Sequence, residues 1–165
     1  MSLGRGALRA ASATAVVTLL ATAPAAAARI VPGVGMAGVS LRMTEVQVEA
    51  RLGQPLQITR TRGALGFLVT RLHYPRLDVD LQRLASRPIV IRVLTIKPGE
   101  RTASGVGVGS PLSDVKRLHG VRCWFEASTH YCGLGEDKPL RTFTLFWTGS
   151  NARVTLIEVS LNVNS

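Results

Sequence analysis

Apolar and polar positions follow the same order in two stretches of the chain. Residues 39–53 read VSLRMTEVQVEARLG, and residues 106–120 read VGVGSPLSDVKRLHG. Laid together without a gap, the stretches share Val39 with Val106, Val48 with Val115, and Gly53 with Gly120. In each one a polar residue precedes a short run with one apolar face, and a glycine follows that run. The pattern predicts two related units, each opening with a short helix.

The helix signals are clearest in the first stretch. Thr44 is a favourable N-cap, and Gln47, three residues later, completes a capping box. Val48 and Leu52 lie four residues apart and so share one face, while Gly53 suits the position just after a helix. The second helix is expected to have Ser110 as its cap, Pro111 at its first position, and Gly120 as its end.

Eight segments have the composition or the alternation of β-strands. They are residues 56–62, 66–74, 77–84, 89–96, 121–128, 129–134, 140–148 and 153–161. Residues 89–96 (IVIRVLTI) are apolar on both faces, which predicts a strand in the middle of a sheet. Residues 29–38 (RIVPGVGMAG) are small and turn-rich, and we expect them to be a flexible lead-in.

The first 28 residues have the features of a secretory signal peptide. Arg5 and Arg9 precede an acid-free run from Ala10 to Ala23, and Ala26–Ala28 supplies the small residues that signal peptidase recognises. We predict a secreted protein, extracellular or in the cell envelope, with no membrane span after cleavage. An uncleaved anchor is the alternative, although the run falls short of the roughly 20 apolar residues of a spanning helix. The domain organisation would be a signal peptide at 1–28, a lead-in at 29–38, a first unit at 39–100 and a second unit at 101–165.

The charge balance is basic. The chain has 20 lysines and arginines against 10 acidic residues, for a net charge of +10. Such a charge favours acidic partners, and an anionic envelope polymer is one alternative partner. The arginines that support it lie in the strands of the first unit, at Arg60, Arg62, Arg71, Arg76, Arg83 and Arg87. Without an aromatic-lined basic groove, the sequence argues against nucleic acid.

The two cysteines, Cys123 and Cys132, are separated by eight residues in two predicted neighbouring strands. In an exported chain this spacing predicts one structural disulfide across a hairpin. A redox-active pair would more often be CxxC, and a zinc site would need two further ligands.

The sequence has no catalytic motif. His73, His119 and His130 are the only histidines, and no nucleophile elbow or metal-binding histidine pair occurs. The glycine pattern at Gly105 departs from the dinucleotide fingerprint at Ser110. We therefore expect no enzyme, no cofactor and no metal, with an extracellular hydrolase as the alternative.

Aromatic residues are concentrated in the second unit, and tryptophan and tyrosine are frequent interface anchors. Because side chains alternate along a strand, some of these rings must belong to the core. The predicted function is to bind an unknown protein partner as a monomer. The predicted partner-binding residues are Trp124, His130, Tyr131 and Trp147.

The two helix motifs resemble the β-lactamase inhibitor protein fold and, more distantly, the SmpA/OmlA (BamE-like) family. The residues that carry the resemblance are Leu41-x-Met43-Thr44-x-x-x-Val48-x-x-x-Leu52-Gly53-x-Pro55, echoed by Val108-Gly109-Ser110-x-x-x-x-Val115-x-x-x-x-Gly120. The resemblance implies an α+β fold in which two tandem repeats, each a helix and an antiparallel meander, form one continuous sheet. Short helices would pack on one face of that sheet, and the exposed face would bind a partner protein in an inhibitor-like way. The chain departs from the lipoprotein family because no cysteine lies near the predicted cleavage point, where a lipid anchor would be attached.

Overall fold

The computed structural model describes residues 29–62, 66–127, 129–136 and 138–163. The predicted signal peptide, residues 1–28, lies outside them. The elements, in chain order, are β1 (Ile30–Val31), β2 (Gly35–Met36), β3 (Val39–Ser40), α1 (Glu45–Leu52), β4 (Gln57–Arg62), β5 (Leu68–His73), β6 (Asp78–Leu84), β7 (Arg87–Thr95), α2 (Leu112–Lys116), β8 (Arg122–Glu126), β9 (Thr129–Gly135), β10 (Thr142–Thr148) and β11 (Val154–Leu161). All eight predicted strands are confirmed, as β4 to β11.

The predicted α+β class of two helix-containing repeats is wrong, because the protein is mostly β. Strands make up 51% of the described residues and helix only 10%. The second predicted helix is one reason. The Ser110 hydroxyl accepts a hydrogen bond from the Gly107 backbone N–H (3.0 Å) instead of capping a helix. Helix α2 begins after Pro111 and ends at Lys116, before Gly120.

A second reason lies in residues 29–38, which were expected to be a flexible lead-in, and in residues 39 and 40, which follow them. They form β1, β2 and β3, a small antiparallel three-stranded sheet. Burial of Ile30, Met36 and Val39 explains why this segment is ordered, since all three are at most 1% exposed. The expected boundary between residues 100 and 101 falls between β7 and α2 and stays a prediction.

Helix α1 forms as the sequence predicts. The Gln47 backbone N–H donates to the Thr44 hydroxyl (3.4 Å), and the Thr44 N–H donates to the Gln47 side chain (2.9 Å), which completes the capping box. The helix ends at Gly53, whose φ of 80° lies in the left-handed region that favours glycine.

The eight long strands form one antiparallel sheet in the order β4-β5-β6-β7-β11-β10-β9-β8. Strands β7 and β11 pair at its centre, with Val93 opposite Val159. The prediction that residues 89–96 lie in the middle of the sheet is therefore confirmed.

The sheet has two different faces. On the inner face, side chains such as Val79, Val93 and Phe146 are fully buried in a core cluster that also contains Val48 of α1 and Val115 of α2. On the opposite face, which we call the open face, side chains are mostly half-buried or exposed. Along β10, for example, Thr144, Phe146 and Thr148 are buried, while Phe143, Leu145 and Trp147 on the open face are half-buried. The inner face therefore supplies the core, and the open face remains available to solvent.

Candidate functional site

Three aromatic residues form a row on the open face. Strand pairing places Trp124 of β8 opposite Tyr131 of β9, and Tyr131 opposite Trp147 of β10. The ring centroids of Trp124 and Tyr131 are 5.9 Å apart in a stacked arrangement, and those of Tyr131 and Trp147 are 5.1 Å apart edge to face. We call these three side chains the aromatic row. The structure thus brings together three of the four residues predicted to bind a partner.

His130, the fourth, lies on the other face. It alternates with Tyr131 along β9, and its ring packs against Phe125 with centroids 4.6 Å apart. The structure therefore separates His130 from the aromatic row.

A cleft of about 330 Å³ opens beside the aromatic row. Its lining includes Trp124, Gly133, Phe143, Leu145 and Trp147. Gly133 is essential to its shape, because a Cβ at this position would lie only 3.3 Å from the Trp124 ring. The absence of a side chain lets the indole lie over the β9 backbone. Sequence reasoning missed Gly133, since its role becomes visible only when β8 is paired with β9.

Charged side chains border the cleft on two sides. Arg92 and Glu158 lie 3.8 Å apart at one end, and the Ser160 hydroxyl donates a hydrogen bond to Glu158. Arg122 also lines the cleft but forms no ion pair with any described residue. The Trp147 Nε1–H is buried and has no hydrogen-bond partner in the described part of the chain. The cleft thus combines apolar walls with polar groups that are only partly satisfied.

A row of charges continues across the open face towards β5. Asp80 is fully buried between two arginines. Arg71 donates to both of its carboxylate oxygens (2.6 and 2.9 Å), and Arg92 donates from Nε (2.7 Å) and Nη2. Burial by itself would raise the pKa of Asp80, but the hydrogen bonds and positive charges of Arg71 and Arg92 outweigh it and lower the pKa below its usual range. This carboxylate therefore stays ionised and holds three neighbouring strands in register.

Thr59, His73 and Asp78 form a second polar group near the β4 edge. The Thr59 hydroxyl lies 3.0 Å from Nε2 of His73, and Nδ1 of His73 lies 2.9 Å from the Asp78 carboxylate. With the ring proton on Nδ1, the histidine donates to Asp78 and accepts from Thr59. The order hydroxyl, imidazole, carboxylate is the one used to activate a nucleophile. Neither Thr59 nor His73, however, lines the cleft beside the aromatic row.

The predicted disulfide is confirmed. Cys123 and Cys132 are bonded across the β8–β9 hairpin. Disulfides persist in oxidising compartments outside the cytoplasm, so the bond agrees with the predicted secreted location, which is confirmed.

The basic residues of the first unit lie in different surroundings. Arg71 is engaged with Asp80, and Arg76 lies 3.6 Å from Glu100. By strand alternation Arg60 and Arg62 of β4 project from the face opposite to Arg71. Two of the six arginines are thus engaged with acidic side chains, and binding to an anionic polymer stays a prediction.

Among residues 29–62, 66–127, 129–136 and 138–163, no group of three histidine, cysteine or acidic side chains could hold a metal ion. In the same part of the chain, no helix has the length and apolar character needed to cross a membrane.

Comparisons with known proteins find no matching family model and no matching curated protein. Among solved structures, the chain is similar to an extracellular protein containing an SCP domain from Bacillus anthracis, with 12% identity and a TM-score of 0.46 over 74% of this chain and 44% of that one. It is also similar to a cysteine-rich secretory protein from Staphylococcus aureus, with 9% identity and a TM-score of 0.41 over 73% of this chain and 44% of that one. The chain thus spans less than half the length of either structure.

These comparisons contradict the resemblance drawn from the helix motifs. The solved structures that match are described as SCP-domain or cysteine-rich secretory proteins, not as β-lactamase inhibitor proteins or BamE-like lipoproteins. The helix-cap-glycine pattern misled because it is short and local, and such caps occur in many folds.

Proposed function

We propose that this secreted chain is a non-enzymatic protein that binds a partner protein through the open face, with the aromatic row as its anchor. The observation that carries the proposal is the cleft of about 330 Å³ between Trp124 and Trp147. Tryptophan and tyrosine are the side chains that most often dominate binding energy at protein interfaces.

The surroundings of the cleft support a protein partner. The cleft lies within a broad sheet face, so that a partner could insert one or two apolar side chains there and cover the flat surface around them. Arg92 and Glu158, which line the cleft, would form a polar border beside that apolar centre. An apolar centre with a polar rim is the usual anatomy of a protein interface. The net charge of +10 favours an acidic partner and would speed its encounter.

The experiment uses the purified secreted protein, with its disulfide intact, as bait for proteins from the culture fluid of its source. Gly133→Val fills the cleft and pushes the Trp124 ring, and Trp147→Ala removes one wall. Phe67→Ala is the matched control, because Phe67 is a half-exposed ring (50%, against 46% for Trp124) outside the cleft lining. Circular dichroism checks that each variant is folded.

A specific partner should bind the wild type and Phe67→Ala alike. Loss of an interface anchor costs about 2 kcal/mol or more, so Gly133→Val and Trp147→Ala should weaken binding roughly thirtyfold. A partner that binds all four proteins with equal affinity would refute the proposal.

A second candidate function is hydrolysis, favoured by the contacts of Thr59, His73 and Asp78. His73 would accept the proton of the Thr59 hydroxyl as that oxygen attacks an ester carbonyl, and would give the proton to the alcohol that leaves, while Asp78 orients the imidazole. A water would then release the acyl group from Thr59 as a carboxylic acid. The test is a screen with small activated esters. Hydrolysis that disappears in both Thr59→Val and His73→Ala, but persists in His119→Ala, would establish this function. Activity absent from the wild type, or unchanged in Thr59→Val, would exclude it.

A further inference from the structure

The two edge strands of the eight-stranded sheet differ in their side chains, and this difference bears on whether two copies of the chain can pair. Strand β4, at one edge, carries Arg60 and Arg62, and charges on an edge strand discourage pairing with another strand. Strand β8, at the other edge, is exposed at all five residues and presents aromatic side chains. Trp124 is 46% exposed and Phe125 63% exposed. The two charged residues of β8, Arg122 and Glu126, have opposite signs, so unlike the two arginines of β4 they need not repel a second copy of the same strand.

The disulfide shows which backbone groups of β8 are free. In an antiparallel pair, directly opposite residues alternate between hydrogen-bonded pairs, with Cα atoms about 5.5 Å apart, and non-hydrogen-bonded pairs, with Cα atoms about 4.5 Å apart. Cys123 and Cys132 have a Cα–Cα distance of 4.0 Å, so they form a non-hydrogen-bonded pair. Consequently Arg122, Trp124 and Glu126 direct their backbone groups to β9, whereas Cys123 and Phe125 direct theirs away from the sheet.

The side chains at the two ends of β8 also lack partners. Arg122 and Glu126 lie on the open face on either side of Trp124, because alternate residues of a strand share a face. Among the described residues, neither forms a salt bridge within the chain. The strand thus carries a positive charge at one end, a negative charge at the other and an exposed ring between them.

We propose that two copies of this chain associate through their β8 strands, antiparallel, around a twofold axis at Trp124. The free backbone N–H and C=O groups of Cys123 in one copy would form hydrogen bonds with those of Phe125 in the second copy. By symmetry, Phe125 of the first copy would do the same with Cys123 of the second. The two sheets would then join into one continuous sheet. Arg122 would lie opposite Glu126 of the second copy at both ends, and the two Trp124 rings would face each other at the centre.

The charges select this register. Outward-facing residues of one copy must pair with outward-facing residues of the other, so the alternatives are shifted by two residues. Centring the axis on Cys123 would place Arg122 opposite Trp124, and centring it on Phe125 would place Glu126 opposite Trp124. Only the register centred on Trp124 pairs opposite charges, and it does so twice by symmetry. The disulfide favours association further, because it holds β8 in place before the second copy arrives.

This proposal departs from the monomer expected from the sequence and does not depend on the proposed binding function. Dimerisation uses the backbone edge of β8 together with Arg122 and Trp124, which also line the cleft on the open face. In the dimer both clefts would lie on the same side of the joined sheet. A bivalent partner could then engage two clefts at once.

The test measures oligomeric state by sedimentation velocity over a range of protein concentrations, with the disulfide intact. The wild type should dimerise. Glu126→Arg places two arginines opposite each other at both ends, and Arg122→Glu does the same with two acids. Each single reversal should weaken the dimer about tenfold or more, since every cross-strand charge pair changes from attraction to repulsion.

The double variant Arg122→Glu/Glu126→Arg is the decisive one. It restores opposite charges in the same register, so dimerisation should return to near the wild-type level, and its recovery also shows that the reversals do not unfold the chain. Arg60→Glu on the β4 edge is the matched control and should leave the dimer unchanged. A wild type that is monomeric at every concentration would overturn the proposal. So would a dimer that tolerates both single reversals, one that the double variant does not restore, or one that Arg60→Glu disrupts.

Discussion

The strongest test of the described sheet is the substitution Asp80→Asn. Asp80 has no exposed surface and accepts hydrogen bonds from Arg71 on β5 and Arg92 on β7. Asparagine keeps the shape of the side chain but replaces one acceptor oxygen with an amide that faces a guanidinium. The two arginines, on the strands that flank β6, would then have no compensating charge between them.

Removing one partner from a buried ion pair typically costs 3–5 kcal/mol. Here the cost is reduced, because the side chains of Arg71 and Arg92 are 33% and 36% exposed and water can partly replace the lost contacts. We expect Asp80→Asn to lower the free energy of unfolding by about 2–3 kcal/mol. With an m value near 2 kcal/mol/M, the urea midpoint should fall by roughly 1 M.

The assay is urea unfolding at neutral pH, followed by tryptophan fluorescence. The matched control is Asp114→Asn, which breaks an exposed pair with Arg117 (3.1 Å) and should change stability by less than about 0.5 kcal/mol. If Asp80→Asn lowers the free energy of unfolding no more than Asp114→Asn does, the contacts of Asp80 with Arg71 and Arg92 do not hold the strands together as described.

The same substitution predicts a pH dependence. Because the folded-state pKa of Asp80 is lowered from 3.8, its contribution is complete above that value and is lost as the pH falls below it. The difference in stability between wild type and Asp80→Asn should therefore be constant near neutral pH and shrink in acid below about pH 4. A difference that grows in acid would contradict the direction of the shift.

Three further predictions concern other parts of the molecule. Replacing both Cys123 and Cys132 with alanine should lower the free energy of unfolding by about 2–3 kcal/mol, because the bond closes a loop of about ten residues; urea unfolding would measure it, and an unchanged midpoint would contradict it. Burial raises the pKa of Glu100 from 4.5 despite the nearby Arg76. Glu100→Gln should therefore stabilise the protein at neutral pH. This gain should vanish as the pH falls below 4.5, because the wild-type carboxyl is then protonated; thermal unfolding at several pH values would measure it. Phe146→Ala should cost about 3–5 kcal/mol because its ring is fully buried, and equal effects of Phe146→Ala and the exposed Phe67→Ala would refute the described core.

The corrections to the sequence-based expectations have a common origin. The helix signals around Ser110 were read as a repeat of those around Thr44, yet Ser110 bonds to Gly107 and α2 covers only five residues. A cap residue shows where a helix can begin, but the packing of the whole chain decides how long it is. The same holds for residues 29–40, whose small residues suggested flexibility while three buried apolar side chains fix them in a sheet.

The sequence by itself determined features that depend on neighbouring residues. The capping box of Thr44 and Gln47, the order of the eight strands along the chain and the disulfide between Cys123 and Cys132 all follow from short-range spacing. The concentration of aromatic residues in the second half could also be read directly, and it located the aromatic row.

Only the tertiary structure decided which side chains meet across the sheet. Arg71, Asp80 and Arg92 come from three strands, and their contact depends on the register of those strands. A shift of one residue would move every side chain of the shifted strand to the opposite face. The contacts of His73 with Thr59 and Asp78 likewise depend on pairing within β4, β5 and β6. Strand pairing also places the Trp124 ring over Gly133, which shapes the cleft, and places β8 at an edge of the sheet. Register is set by the packing of the whole core, so no local pattern could reveal these sites.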